Sequence, residues 1–217
     1  MALTNYGELK TAVATRLVRS NLTSQIVDFI AIAHFKMMRG EWHGPMEARR
    51  TIPALRLQDM LESATLTPTS GAASAPTGYL AARRLYVDDA ETTALRYIPP
   101  EKWYSLTTEG QGGTPRFYTI EAGTFRFAPY STETVSLDYY KELDALSDDS
   151  DTNSIFTIGP QAYLYGALAE AYDHIRQHDR AINYHNMFAA TVEALNGQTR
   201  EHEHSGAVMV ATVDNPV

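Results

Sequence analysis

Apolar positions at the start of the chain recur at helical spacing. Leu9, Val13 and Leu17, with Ala12 and Arg16 between them, mark one face of a first helix that Thr4 or Asn5 can cap. Ser20-Asn21 interrupts the pattern. A second stripe follows, in which Ile26, Phe29, Ile30, Ala33 and Met37 recur at i, i+3, i+4 and i+7 behind Thr23 or Ser24 as cap. Gly40 and Gly44-Pro45 end it, and the short break between the stripes predicts an antiparallel helical hairpin.

The period then changes. Thr51–Leu55 is short and β-prone, and residues 63–78 place one large apolar side chain, Leu66, among Ser, Thr, Ala, Pro and Gly. That composition predicts a long exposed loop. Tyr79–Val87 reads as a strand stopped by Asp88-Asp89, and Pro99-Pro100-Glu101 opens a short helix carrying Trp103. Arg116–Ile120, a bend at Gly123, Thr124–Ala128 and Thr134–Tyr140 predict a small antiparallel sheet. In the last of these, Val135, Leu137 and Tyr139 alternate with Ser136, Asp138 and Tyr140.

Helical spacing returns after an acidic loop, Asp144 to Asn153. One helix is predicted from near Ile155 to His178, with Pro160 early in it and Tyr163, Leu164, Ala167, Leu168, Ala171 and Ile175 as its apolar stripe. Asp179 then caps a helix lined by Ile182, Phe188, Val192 and Leu195, and Gly206 closes the ordered core. The predicted fold is α+β and mainly helical. Residues 1–45 and 154–204 form a four-helix bundle from two hairpins, 46–153 an inserted small antiparallel β-region with the long loop 63–78, and 205–217 an extended C-terminal tail.

Composition narrows the function. An apolar fraction of 44% with 20% charged residues belongs to a folded chain of 217 residues. The absence of cysteine excludes disulfides and thiolate metal sites. No apolar run approaches the roughly 20 residues of a membrane-crossing helix, and Met1–Tyr6 lacks the build of a signal peptide, so synthesis and assembly in the cytoplasm are expected. The net charge of −8 is uneven: residues 1–60 hold 8 basic and 5 acidic side chains, 61–140 hold 6 and 9, and 141–217 hold 4 and 12. An acidic last third argues against tight DNA binding.

Candidate chemistry is sparse. His174 and His178, four apart, could share a helix face as zinc ligands do, but Ile175 stands where a metalloprotease has Glu. His202 and His204 diverge by about 200° on a helix. Exposed or interfacial histidines are the expected reading, with no metal site. Asp149-Ser150-Asp151-Thr152-Asn153 imitates the start of a calcium loop, yet Ser154 and Pro160 stand where the loop needs Gly and Glu, leaving a solvated loop that caps the next helix. Neither a phosphate-cradling glycine pattern nor Gly-x-Ser-x-Gly occurs, so no catalytic and no cofactor-binding residues are assigned. Tyr163, Tyr165, Tyr172 and Tyr184 are expected in the core, or second in a subunit interface. Val208, Met209, Val210 and Val213 give the tail an apolar, strand-forming character suited to a partner's sheet or groove.

The order of parts and several segments resemble the head-to-tail adaptor, or connector, proteins of tailed bacteriophages. Tyr6–His34 is similar to that family's opening hairpin, and YIPPEKW (Tyr97–Trp103) and GTPRFYTIEAGTFRFAP (Gly113–Pro129) to its β-region. Tyr139–Phe156, leading into PQAYLYGALAEAYDHIRQHDRA and then ALNGQTR (Ala194–Arg200), is the most specific stretch. The resemblance implies a structural subunit and no enzyme. It implies a dodecameric homo-oligomeric ring in the virion neck, below the portal protein and above a tail or nozzle protein, through which genomic DNA passes without specific binding. It also implies that the tail, with Val208, Met209, Val210 and Val213, contacts the portal. The rival reading is a helical interaction module of tetratricopeptide type, built on the paired helices of Leu164–Leu195. That reading needs a repeat at about 34 residues, and none occurs. An acid-dependent hydrolase is a more distant alternative, which would need a polar, ligand-sized pocket.

Overall fold

A computed structural model describes residues 3–18, 22–44, 47–87, 94–105 and 112–204. Two compact units divide it: residues 1–57 with 145–217, and the continuous stretch 58–144.

The first unit is helical. Helix α1 (Tyr6–Leu17) is capped by Asn5, whose side chain accepts from Glu8 N, while Glu8 reaches back to the Thr4 amide at 2.7 Å. Leu9, Val13 and Leu17 are buried as their spacing requires. Helix α2 (Ile26–Arg39) buries Ile26, Phe29, Ile30, Ala33 and Met37, but it begins at Gln25 without a side-chain cap. The expected helix from Ile155 to His178 is instead two. Helix α4 (Ser154–Ile158) stops at Gly159-Pro160, where proline has no N–H to continue the ladder. Helix α5 (Gln161–His174) follows, and α6 (His178–His204) begins after a turn at Arg176, whose φ of 60° leaves the helical region. Helix α5 packs against α1, α2 and α6. Its Gly166 is required there, because a Cβ would lie 2.7 Å from that of Ala33.

The second unit holds two sheets. In the first, β7 (Val135–Lys141) lies between β1 (Leu61–Leu66) and β3 (Tyr79–Val87), all antiparallel. In the second the order is β2 (Ala72–Ser74), β6 (Thr124–Ala128), β5 (Phe117–Glu121), β4 (Arg96–Tyr97), with only the β4–β5 pair parallel. Helix α3 (Pro100–Trp103) starts with Pro100 at its first turn and buries Trp103. Both sheets contribute to one core, in which Phe125, Phe127, Val135 and Leu137 are fully buried.

The mainly helical four-helix bundle is therefore corrected. Among the described residues there are six α-helices and seven strands in two sheets, so the fold is a mixed α+β with substantial sheet. The reason lies in residues 63–78, expected as a loop, which carry most of β1 and all of β2. Their small side chains are suited to this role because the partner strand supplies the bulk. Ala64 faces Leu137, Leu66 faces Val135, and Ala73 faces Phe125.

Candidate functional site

The expected contact residues Val208, Met209, Val210 and Val213 lie outside the described residues. Within them, α2 exposes several large apolar side chains. Phe35 is 57% exposed, with Val27 and Ile32 also open to solvent, and Trp42 beyond the helix end is 78% exposed. Val27, Ile32 and Phe35 fall between the buried positions of the helix. Scattered apolar exposure is ordinary, but several such side chains on one helix suit an assembly surface.

A polar seam within the helical unit holds the chain after α2 onto α6. Asn196 Oδ1 accepts from Arg56 N at 2.7 Å, and its amide donates to the Ala54 carbonyl. Asn186 Oδ1 accepts from Arg50 N, and Arg50 reaches Glu193 at 2.9 Å. His185 Nε2 donates to the Arg50 carbonyl at 2.8 Å. Glu41 and Ile52 exchange both backbone hydrogen bonds. Every buried polar atom of this kind needs a partner, so the seam fixes the loop's path.

Three side chains converge there. The ligand-capable atoms of Glu41, His43 and His185 lie within 4.8 Å of one another. His43 Nδ1 is 2.9 Å from Glu47 Oε2, and its Nε2 faces Glu41 Oε2 at 3.3 Å. The two imidazoles meet edge to face, with centroids 4.9 Å apart. Lys36 Nζ lies 3.0 Å from the same Glu41 oxygen and 2.9 Å from Glu170, yet Glu41 Oε2 and His43 Nε2 are both buried without an aligned hydrogen bond. Burial holds His185 below the ordinary imidazole range, partly offset by its bond to the Arg50 carbonyl. Burial would raise the Glu41 carboxyl, but the Lys36 ammonium outweighs it and holds the group low.

His174 and His178, singled out from the sequence, do not share one helix. His174 ends α5 against the Phe29 ring, and His178 opens α6 bound to Asp173, with the Arg176 turn between them. The calcium-like segment is consumed internally. Asp151 accepts from Ser147 and Asp148, Asn153 caps α4, and Asp149 pairs with Lys10. Tyr163 is a core residue whose hydroxyl accepts from Asn153 and meets His34 Nδ1 at 2.8 Å; burial pushes the phenol up. Tyr172 is buried as well, while Tyr165 and Tyr184 are half-buried; all three border an open groove with Arg16, Arg180 and Met187, and the Tyr172 and Tyr184 rings stack at 5.3 Å. The Glu41–His43–His185 group was missed because its only local signal is Glu-x-His, and the third member lies far along the chain.

Neither the seam nor the groove presents a nucleophile beside a base. The family model described as SU10 adaptor protein matches residues 4–211. The chain belongs to the SU10 adaptor protein family. No curated protein matches it. As an SU10-family adaptor it is a structural protein of a bacteriophage, a component of the virion that interacts with other phage structural proteins. The match runs through both units of the adaptor, including the stretch 58–144 that carries the sheets.

Proposed function

We propose that this adaptor is the subunit of a dodecameric ring at the head–tail junction, seated below the portal protein and presenting its other side to a tail or nozzle protein. The family match across residues 4–211 carries this reading. The exposed apolar side chains of α2, Val27, Ile32 and Phe35, suit a contact with a second copy of the chain, in a head-to-tail geometry that closes by rotation. Val208, Met209, Val210 and Val213 are proposed as the portal contact, an apolar strand-forming segment suited to a partner's sheet or groove. Genomic DNA passes through the ring without specific binding, for the charge is unfavourable to phosphate. The helical unit holds 11 basic and 14 acidic side chains, and residues 58–144 hold 7 and 12.

Mixing the full chain with its portal protein should yield one large co-eluting complex in size-exclusion chromatography. Deleting residues 207–217 should leave the melting temperature nearly unchanged and abolish that complex. A truncated chain that docks with undiminished affinity would remove the tail from the proposal. Separate peaks for the full chain at every salt concentration would remove the portal itself.

A further inference from the structure

We propose that Glu41, His43 and His185 form a binding site for one divalent transition-metal ion of the zinc class. The proposal is independent of ring formation.

The hydrogen-bond partners set the chemistry. Glu47 is a carboxylate and can only accept, so His43 Nδ1, 2.9 Å from it, carries the proton and Nε2 the lone pair. The Arg50 carbonyl likewise only accepts, so His185 Nε2 carries the proton and Nδ1 the lone pair. Each imidazole thus has one nitrogen oriented by an oxygen acceptor and the other available, the arrangement that fixes the tautomer of metal-bound histidines. The consequence at the centre is a conflict. The Nε2 lone pair of His43 faces Glu41 Oε2 at 3.3 Å, and two acceptors cannot bond to each other. Neither atom has an aligned hydrogen bond; Glu41 Oε2 has the Lys36 ammonium at 3.0 Å, whereas the His43 Nε2 lone pair has no donor among the described residues, and the His43 side chain is only 10% exposed. A cation between them resolves the conflict.

Two cations could do so: a proton on His43 or a metal ion. The convergence of His185 favours the metal. A proton on His43 answers Glu41 alone and leaves the His185 lone pair unused, whereas a metal ion takes all three donors. Two imidazoles and one carboxylate are a donor set that zinc prefers, with the fourth tetrahedral position open to water. Lys36 remains held by Glu170 at 2.9 Å when Glu41 turns to the metal. The ion would clamp the loop after α2 onto α6, at the seam that already carries Asn186 and Asn196.

The test uses the full chain, stripped with a chelator and titrated with Zn2+ alone by calorimetry, then with Co2+ by visible absorption. One ion per chain is expected, with the intense d–d bands of tetrahedral cobalt, displaced by zinc. Glu47→Gln should weaken binding by about 10- to 100-fold through its hold on His43. His43→Gln and Glu41→Gln should each weaken it more, and a His174→Gln, His178→Gln double variant should bind as the parent does. If His185→Gln fails to fold, the two loop variants carry the test, checked by circular dichroism without metal. Absence of saturable binding at micromolar zinc would leave the proton as the buried cation and overturn the proposal. So would one-to-one binding that survives His43→Gln combined with Glu41→Gln.

Discussion

Residues 58–144 and the flanking helical unit bury their interiors by different means. The sheet unit closes on itself within one continuous stretch, and its core is mainly apolar and aromatic, with Phe125 and Phe127 at the centre and Thr119 and Ser131 buried as well. The helical unit is assembled from the two ends of the sequence and buries polar groups among its apolar ones, including His34, His185 and Asn196. An apolar core tolerates rearrangement as long as volume is kept, whereas a polar seam works only with each partner in place. The sheet unit is therefore the part built for bulk, and the helical unit the part built for a fixed geometry. Charge follows the same division. The acid excess of residues 141–217 looks large along the sequence, but four of its twelve carboxylates meet the basic N-terminal segment through Lys10–Asp149, Lys36–Glu170, Arg49–Asp173 and Arg50–Glu193.

Truncation of the sheet core is the largest break available. Phe125→Ala removes a fully buried ring that packs against Tyr79, Tyr118 and Phe127, and should cost about 3–5 kcal/mol. Because each unit has its own interior, the loss should fall on residues 58–144 alone. In the variant, protease protection of that stretch should disappear at a lower temperature than the far-UV helical signal. Coincident transitions by both probes would show that the two units unfold as one.

Asn196→Ala attacks the other interior. It strips partners from two backbone groups, Arg56 N and the Ala54 carbonyl, where burial leaves little access to water. An unsatisfied buried group costs about 1–3 kcal/mol, so a loss of roughly 2 kcal/mol is expected, less than for the ring. Urea midpoints measure it, and faster amide exchange at Arg56 locates it. A change below about 0.5 kcal/mol would mean that water replaces the side chain and the seam is not rigid.

Elements whose packing partners are near in sequence, or whose periodicity is long, were legible from the residues. Helices α1 and α2 and strands β3, β6 and β7 follow their apolar spacing, and the Val135–Leu137–Tyr139 alternation is the buried face of β7. What escaped depended on distant partners. Strands β1 and β2 read as loop because Ala64, Ala72 and Ala73 carry little apolar bulk, and only β7 and β6 make them strands. The stripe from Tyr163 to Ala171 was correct, but helical spacing runs on past a break, so periodicity alone joined α4 to α5 and pushed the end beyond His174. That overrun put His174 and His178 on one imagined face and drew attention from His43 and His185. The cluster needs a loop and a helix from opposite ends of the chain, which no spacing rule connects. The segment assigned to portal contact lies outside the described residues.

The smallest expected effect comes from the ion pairs that join the two ends of the chain within the helical unit. Asp173 accepts from Arg49 at 3.0 Å and meets His178 Nδ1 at 3.1 Å. Burial would raise its carboxyl, but His178 and Arg49 outweigh that and hold it below its ordinary value of 3.8. A carboxylate with a lowered folded-state pKa adds stability above the unfolded value, and that contribution is lost as pH falls through the folded value. The contribution of Asp173 is thus fully present at neutral pH and fades only below about pH 3.8. Because the side chain is 42% exposed, solvent screening limits the pair to less than about 1 kcal/mol. Asp173→Asn should lower stability by that small amount at pH 7, and the deficit should shrink as pH falls below 3.8, since the parent loses its carboxylate there while the variant has none to lose. Urea unfolding at several pH values measures the convergence. A deficit that stays constant into acid would assign the loss to packing rather than charge.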